Sequence, residues 1–321
     1  MIETMKAVRI HKYGGPGVLV YEDAPRPKPG QDELLIRVHA AGVNPADWQI
    51  RSGKRFKLKK PFSLILGGEL SGVVEVAGTN VAHFKVGDEV FGTAEIRKGG
   101  ACAEYVAVPA TSISHKPRSI DHIQAAAMPV ASLTAWQALF DAAELAVGQR
   151  VLIHAAAGGV GHIAVQLAKW KGAHVIGTAS AANENFLQKI GVDEFVNYRT
   201  TRFEDVVRDV DVVLEAVNRD IHVECPRGDT LNRSWGVLKK GGVLISICDT
   251  SVSKVAATYG VRGKYVRMQA NTKQLTEIAK LVDAGHVRPF ISTVFPLNEA
   301  RKAHGLSQKG HTRGKIVLKI I

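Results

Sequence analysis

Short runs of alternating apolar and polar residues fill the first 125 positions of the chain. Examples are "KAVRIH", "VLVYED" and "ELLIRVHAAGV", and segments rich in Gly, Pro, Asn and Asp, such as "PRPKPGQ", separate them. Alternation with a period of two, bounded by turn-forming residues, is typical of β-strands. Residues 1–125 are therefore predicted to form a β-rich domain, a small irregular barrel.

A different pattern occupies residues 126–288. Apolar runs such as "RVLIHA", "AHVIGTA", "DVVLEAV" and "GVLISI" alternate with segments of helical periodicity such as "GHIAVQLAKWKG". Strands that alternate with helices favour a parallel, doubly wound sheet with helices on both faces. This part of the chain is therefore predicted to be an α/β domain.

Residues 289–321 return to the β pattern, with "FISTVFPL" and "GKIVLKII" on either side of a helix-like segment. We expect this segment to complete the first domain, so that the chain leaves that domain and comes back to it. The predicted fold class is thus α/β, with a doubly wound parallel sheet in one domain and a β-rich barrel in the other.

The amino-acid composition is that of an ordinary globular protein. The chain has 321 residues, 45% hydrophobic and 22% charged, which suffices for two domains with their own cores. The apolar runs are far shorter than the roughly 20 residues of a membrane span, and the N-terminal segment lacks the apolar core of a secretory signal. Cys102, Cys225 and Cys248 are far apart and form no CxxC pair. We therefore expect no disulfide framework and a reduced, cytoplasmic setting.

Charge points to an anionic ligand. The chain carries 42 basic and 30 acidic residues, a formal net charge of +12, which attracts anions: a phosphorylated cofactor, a nucleic acid or a lipid surface. The densest basic run, residues 51–60, contains a single aromatic residue, Phe56. Binding to single-stranded nucleic acid commonly uses aromatic side chains for base stacking. We interpret the run as a solvated loop and do not expect a nucleic-acid partner.

A glycine-rich turn follows the first apolar run of the α/β block. Residues 156–161 read "AAGGVG", with Gly158 and Gly161 as the second and third glycines of a G-x-G-x-x-G pattern and Ala156 in place of the first. A glycine turn between a strand and a helix lets a pyrophosphate approach the backbone and the unpaired N–H groups of the helix. The residues predicted to bind a dinucleotide here are Ala156, Ala157, Gly158, Gly159, Val160 and Gly161.

The end of the second α/β strand indicates which dinucleotide binds. Sites that prefer NAD usually carry Asp or Glu there to hold the ribose 2′-hydroxyl. This chain has "TAS" instead, and the nearest acid, Glu184, falls inside the next predicted helix. Because a carboxylate would repel a 2′-phosphate, its absence favours NADP(H). Ser180, Tyr198 and Arg199 are the predicted phosphate contacts.

Taken together, these features resemble those of a known family. The order of a β block, a dinucleotide block and a returning β block is similar to the medium-chain dehydrogenase/reductase superfamily. The stretches "AAGVNPADWQIRSG", "GGELSGVVEVAG", "VLIHAAAGGVGHIAVQLAK" and "GHTRGKIVLK" most resemble its zinc-independent quinone oxidoreductase branch. The resemblance covers nearly the whole chain. It implies a Rossmann domain, a GroES-like barrel, NADPH-dependent reduction of a quinone or an α,β-unsaturated carbonyl compound, and a homodimer.

The same resemblance argues against a metal. Zinc-dependent members carry a catalytic cysteine where this chain has Asn44, and a His-Glu pair where it has Gly68 and Glu69. They also have a four-cysteine lobe, which this chain lacks. Zinc needs about four N, S or O ligands, so we expect no zinc site.

The resemblance also suggests catalytic residues. It places Asn44 beside the nicotinamide, where its amide would donate to the acceptor oxygen as negative charge develops there. Thr134 is expected to contact the nicotinamide or its ribose, and Asp47 and Arg51 to support the site. However, Asn44 followed by Pro45 is also a good helix start, so a purely structural role stays open.

Arg313 and Lys315, just before the last predicted strand, are the remaining cofactor candidates. In the family this segment approaches the cofactor, whose phosphates would suit these cations; an exposed basic turn is the alternative. Two features depart from the family. Phe56 stands near where many relatives have a tyrosine, so the proton is expected from solvent. Asn218 and Arg219 replace a common glycine pair, which leaves the cofactor contacts around residues 218–230 open.

Two alternative functions stay open beside the quinone or enone reductase. An enoyl-thioester reductase of the same superfamily would act on a substrate with a phosphorylated arm, which the basic run at 51–60 suits. A non-catalytic protein that binds NADPH or RNA would use the positive charge alone.

Overall fold

The computed structural model describes residues 3–57, 59, 62–217 and 230–321, so Asn218 and Arg219 lie outside the described residues. The chain forms two compact units. The first comprises residues 1–130, 270–285 and 289–321, and the second comprises 131–269 and 286–288. The predicted domain limits at 125/126 and 288/289 stay predictions. Within the described part, no helix is long and apolar enough to cross a membrane.

The strands of the described chain are, in order, β1 (Thr4–Ile10), β2 (Val20–Pro25), β3 (Glu33–Val43), β4 (Leu64–Ile65), β5 (Glu69–Ala77), β6 (Glu89–Thr93), β7 (Tyr105–Pro109), β8 (Ile113–His115), β9 (Arg150–Ile153), β10 (His174–Ala179), β11 (Glu194–Asn197), β12 (Val210–Glu215), β13 (Leu238–Ser246), β14 (Arg262–Tyr265), β15 (Ile291–Pro296) and β16 (Lys315–Lys319).

The α-helices of the same residues are α1 (Pro45–Arg51), α2 (His122–Ala126), α3 (Pro129–Trp136), α4 (Gly161–Trp170), α5 (Glu184–Lys189), α6 (Phe203–Val206), α7 (Thr230–Ser234), α8 (Val252–Val255), α9 (Thr272–Asp283) and α10 (Ala300–Lys309). A π-helical turn, Gln137–Ala142, continues α3.

A seven-stranded sheet is the framework of the first unit. Its order is β15-β16-β3-β5-β6-β8, and β7 also pairs with β3. The long strand β3 pairs antiparallel with β7 along residues 33–37 and with β16 along residues 40–43. Strands β2, β1 and β4 form a smaller sheet. The last strand of the chain therefore lies beside the strand that leads into α1.

The second unit contains a six-stranded parallel sheet in the order β11-β10-β9-β12-β13-β14. Strands β10 and β11 follow β9 on one side of it, and the chain then returns to add β12, β13 and β14 on the other side. This is the doubly wound order of the Rossmann fold, and it leaves a crevice at the carboxyl ends of β9 and β12. The predicted α/β fold class, with a parallel sheet and a β-rich unit, is confirmed.

The basic run at 51–60 is only partly a solvated face. Lys54, Arg55, Lys57 and Lys59 are exposed, as predicted. Arg51, by contrast, is fully buried, with Nε donating to the Gly14 carbonyl oxygen at 3.2 Å and Nη2 to Gln308 Oε1 at 2.6 Å. The prediction was wrong for Arg51 because it ends α1, and its face of that helix packs against α10.

A buried histidine ties together the core of the second unit. His154 follows β9, and its ring nitrogens lie 3.1 Å from Thr178 Oγ1 and 2.9 Å from Ser234 Oγ. Since the Ser234 hydroxyl donates to the Thr230 carbonyl oxygen, it accepts from Nε2, and Nδ1 accepts from Thr178. The neutral ring is thus fully satisfied, and burial lowers the pKa of His154 to about 3.

We expect His154 to destabilise the fold in acid. The unfolded chain takes up a proton at this ring near its ordinary pKa of 6.5, whereas the folded protein does so only near 3. Between these values the unfolded state holds more protons, so stability falls as the pH falls, by about 3 kcal/mol from pH 6.5 to pH 4. Urea unfolding of wild type and His154→Gln at several pH values measures the difference. An unchanged difference between pH 7 and pH 4 would contradict the expectation. The control is His83→Gln at an exposed position.

Candidate active site

The glycine turn lies at the carboxyl end of β9, in the second unit. Residues 154–160 connect β9 to α4, which begins at Gly161. Ala155 adopts a left-handed backbone with φ of 51°, which is uncommon for a residue with a side chain. At Gly161 a Cβ atom would lie 2.2 Å from the Ala155 carbonyl oxygen. Only glycine fits this contact, so the turn closes against the first residue of the helix.

Ala156 can replace the first glycine of the pattern because Gly177, which faces it from β10, has no side chain. A Cβ atom built on Gly177 in β10 would lie 3.1 Å from Ala156 Cβ. The backbone N–H of Ala156 donates to the Thr178 carbonyl oxygen at 3.1 Å, which fixes the turn against the same strand. The methyl group of Ala156 therefore occupies space that Gly177 leaves open, a compensation that the one-dimensional motif does not reveal.

The tip of the turn is suited to an anion. Gly158, Gly159 and Val160 are partly exposed, whereas Ala156, Ala157 and Gly161 are buried. The helix that follows has N–H groups in its first turn that lack helical acceptors, and its positive end faces the tip. A pyrophosphate would fit a surface free of bulky side chains here. Contact of residues 156–161 with a dinucleotide stays a prediction.

The predicted 2′-phosphate contacts lie together at the carboxyl edge of the same sheet. Ala179 and Asn197 are paired across β10 and β11, and Tyr198 N donates to the Ala179 carbonyl oxygen at 3.2 Å. Ser180 and Tyr198 are therefore neighbours. Asn183 Nδ2 donates to Ser180 Oγ at 3.1 Å, and the Arg199 guanidinium lies 6.0 Å from the centre of the Tyr198 ring.

In the first unit, a buried ion pair holds Asn44. Lys315 Nζ donates to Glu69 Oε1 at 2.7 Å and to Asn44 Oδ1 at 2.6 Å. Asn44 Nδ2 donates in turn to Glu69 Oε1 at 2.7 Å, and the second carboxylate oxygen of Glu69 accepts from Val130 N at 2.8 Å. The side chains of Lys315 and Glu69 are 3% and 0% exposed. We call this group of three the Asn44–Glu69–Lys315 cluster.

A glycine in β3 makes room for the cluster. A Cβ atom on Gly42 would lie 2.2 Å from Glu69 Oε1 and 2.6 Å from the Ala126 carbonyl oxygen. Any other residue at position 42 would displace the carboxylate. Glu69 was considered from the sequence only in connection with zinc, and its pairing with Lys315 was missed. The available signal was a carboxylate within an apolar stretch, since a buried charge requires a partner.

Asp47 supports Asn44 from the first turn of α1. Its carboxylate accepts from Asn44 N at 2.7 Å and from Gly67 N at 3.2 Å, so it fixes the backbone at the helix start. Asn44 is the residue that precedes α1, and Pro45 is its first residue, as the sequence predicted. Burial of the carboxylate raises the pKa of Asp47 to about 6, despite these hydrogen bonds.

The remaining candidates are placed as follows. Thr134 is buried in the part of α3 that belongs to the second unit. Arg313 is partly exposed and precedes Gly314, whose left-handed backbone (φ of 64°) packs against the Phe290 carbonyl oxygen. The Lys315 ammonium contacts Asn44 and Glu69, and its predicted contact with cofactor phosphate stays a prediction, as do the roles of Thr134 and Arg313.

Comparison with known proteins places the chain in a family. A family model described as alcohol dehydrogenase GroES-like domain matches residues 30–118, and one described as zinc-binding dehydrogenase matches residues 190–318. The human protein named NAD(P)H oxidoreductase RTN4IP1, mitochondrial, is 34% identical in an alignment that covers 90% of this chain and 82% of the relative.

Two solved structures agree. The quinone oxidoreductase from Coxiella burnetii is 38% identical, with a TM-score of 0.91 and coverage of 99% of this chain and 100% of that one. The Escherichia coli quinone oxidoreductase complexed with NADPH is 28% identical, with a TM-score of 0.86 and coverage of 98% and 100%. The chain therefore belongs to the quinone oxidoreductase branch of the medium-chain dehydrogenase/reductase superfamily. The resemblance drawn from the sequence, including the GroES-like architecture, is confirmed.

The zinc named in one family description does not fit the residues of this chain. Of the three positions compared above, Asn44 and Gly68 offer neither thiolate nor imidazole, and the Glu69 carboxylate is bound by the Lys315 ammonium. Across the described residues, no three His, Cys, Asp or Glu side chains are grouped to hold a metal ion. The cation beside Glu69 is a lysine.

We expect Asp47 to lower stability as the pH rises through its titration. The unfolded chain loses this proton near the ordinary pKa of 3.8, and the folded protein only near 6. Between these values the folded state holds more protons, so its stability falls with rising pH, by up to about 3 kcal/mol, and then levels off. The measurement is the free energy of unfolding of wild type minus that of Asp47→Asn from pH 4 to pH 7. A difference that stays constant over this range would show that Asp47 is already ionised at pH 4.

Proposed function

We propose that the protein is an NADPH-dependent reductase of quinones or α,β-unsaturated carbonyl compounds that acts without a metal. One observation carries the proposal: the glycine turn at the carboxyl end of β9 lies beside a strand end that presents Ser180 and Tyr198 and no acid. Support comes from the relatives, which are named NAD(P)H oxidoreductase or quinone oxidoreductase.

The second unit would hold the cofactor. The tip at residues 158–160 would bind the pyrophosphate, because Gly158 and Gly159 carry no side chain of their own that would keep it from the backbone. Ser180 would donate to the 2′-phosphate, and Tyr198 and Arg199 would flank it. When bound, NADPH supplies the hydride that the reduction requires.

Asn44 would supply the hydrogen-bond donor for the acceptor oxygen. Hydride addition to a quinone or enone leaves negative charge on a carbonyl oxygen, which a fixed hydrogen-bond donor stabilises. Asn44 is partly exposed, whereas the other two residues of the cluster are buried. Asp47 holds the backbone of Asn44, and Thr134 would make a further polar contact. The proton that completes the reduction would come from solvent, since Phe56 offers no hydroxyl group.

Cofactor preference can be tested at Ser180. We expect Ser180→Asp to lower kcat/KM for NADPH by roughly 10- to 100-fold, because it removes a donor and places a carboxylate beside the 2′-phosphate. The value for NADH should change much less. Ser180→Ala is the matched control and should cost NADPH only a few-fold, because it removes the hydroxyl without adding charge. An Asp variant that kept the NADPH preference would show that the phosphate binds elsewhere.

The reaction itself can be tested with a small panel of acceptors. We expect the purified protein to oxidise NADPH, in preference to NADH, with a benzoquinone or a free enone, followed as loss of absorbance by the reduced cofactor. Preference for an enoyl thioester over the matching free enone would assign the activity to enoyl-thioester reduction instead. No turnover with any acceptor, together with RNA affinity that falls steeply with salt, would favour the non-catalytic alternative.

Two further expectations accompany the proposal. A homodimer is expected, and sedimentation velocity of the purified protein would test it. A cytoplasmic location is also expected, although the name of the human relative places that protein in mitochondria; fluorescence microscopy of the tagged protein in its own cell would decide between the two.

A further inference from the structure

Hydrogen-bond chemistry fixes which way the Asn44 amide faces. A lysine ammonium only donates, so the Asn44 atom 2.6 Å from Lys315 Nζ must be the carbonyl oxygen. A carboxylate only accepts, so the atom 2.7 Å from Glu69 Oε1 must be the amide nitrogen. An asparagine between two neutral groups could face either way, but between these two charged groups only one orientation makes both hydrogen bonds.

This orientation leaves one donor available. The amide nitrogen of Asn44 carries two hydrogens, and Glu69 accepts one of them. The structure gives the second hydrogen no acceptor among the described residues. Asn44 is partly exposed, whereas Lys315 and Glu69 are buried, so Asn44 is the residue of the cluster that is accessible from the surface.

The Lys315 ammonium has no N–H left to donate to a substrate. Its three ammonium hydrogens have three acceptors: Asn44 Oδ1, Glu69 Oε1 and, at 3.3 Å, the Val43 carbonyl oxygen. A hydrogen bond from this ion pair to a bound molecule must therefore be made through Asn44. A buried cation on the amide oxygen draws electron density away from the nitrogen, and this strengthens the remaining N–H as a donor.

We propose that Lys315 and Glu69 are positioning residues for Asn44. They hold the amide in one orientation and polarise it, so that its free N–H is presented to the carbonyl oxygen of the acceptor. The ammonium thereby gives this chain a fixed positive charge behind the donor. The inference rests on the proposed reductase function and deepens it. The competing explanation is that the pair only joins β16 to β5.

The first test is a kinetic double-mutant cycle on the reductase reaction, with Asn44→Ala, Lys315→Met and the two combined. We expect each single variant to lower kcat by about 100-fold, the effect typical of losing one such donor, with KM for NADPH nearly unchanged. If Lys315 acts through Asn44, the double variant should be no slower than the slower single variant. Lys319→Met on the exposed end of the same strand is the control and should leave kcat unchanged.

A second variant guards against loss of the fold. Lys315→Met alone leaves the Glu69 carboxylate buried without a compensating positive charge, which is strongly destabilising. The combination Lys315→Met with Glu69→Gln removes both charges and keeps the side-chain lengths. We expect it to fold, to lose kcat to the same extent as Asn44→Ala, and to lose no more when Asn44→Ala is added.

An activity-independent measurement follows the amide directly. In the free protein labelled with ¹⁵N-asparagine, the Asn44 side-chain NH₂ signals are identified by their absence from Asn44→Ala. We expect one sharp pair in the wild type, and shifted signals that are broadened or doubled in the Lys315→Met/Glu69→Gln variant, because the amide can then face either way. Unshifted signals in that variant would overturn the positioning role.

The outcomes separate the inference from the function on which it rests. Absence of turnover in the wild type overturns the proposed function and with it the role of the cluster. An active wild type in which the losses from Asn44→Ala and Lys315→Met multiply overturns only the positioning role. A rise in KM for NADPH at unchanged kcat in Lys315→Met also overturns it, and would support the contact with cofactor phosphate predicted from the sequence.

Discussion

Burial of the Lys315–Glu69 ion pair is the constraint on which the rest of the first unit depends. Two charges removed from water are tolerated only when their geometry is good and their remaining hydrogen-bonding capacity is satisfied. Here each ammonium hydrogen has an acceptor, and both carboxylate oxygens have donors. The pair therefore requires β16, β5 and the start of α1 to meet at one point, which ties the end of the chain to its N-terminal part.

Glycines occur where another group packs directly against the backbone. At Gly42 the missing side chain admits the Glu69 carboxylate, and at Gly161 it admits the carbonyl oxygen of the preceding turn. At Gly177 the missing side chain leaves space for the methyl group of Ala156, which stands where the G-x-G-x-x-G pattern has its first glycine. The residue type at each of these positions depends on a second residue that contacts it. A sequence motif shows only the residues that are contiguous in the chain, so it does not show this dependence.

Burial also sets the electrostatic character of the polar groups, with a sign that depends on the group. Loss of hydration raises the pKa of the Asp47 carboxyl, because it disfavours the carboxylate, and lowers the pKa of the His154 ring, because it disfavours the charged imidazolium. Both groups hold backbone or core in place. Asn44, the partly exposed residue of the cluster, is hydrogen-bonded to two buried residues, Lys315 and Glu69, which hold its side chain in place.

The sequence by itself determined the architecture and the position of the glycine-rich turn. Hydrophobic periodicity separates a β-rich part from an α/β part, and the turn at residues 156–161, like the missing acid at the end of β10, is a contiguous signal. Such features follow from residues close together in the chain. They could be identified because local geometry, glycine conformation and strand–helix order depend little on distant residues.

Only the tertiary structure decided which distant residues meet. Lys315 and Glu69 are 246 positions apart, and nothing near either residue identifies the other as its partner. The burial of Arg51 and the fit of Ala156 against Gly177 likewise depend on elements that pack from elsewhere in the chain. The physical reason is that desolvation and charge pairing are set by neighbours in space. For this protein, those neighbours are fixed by the pairing of β3 with β16 and of β9 with β10.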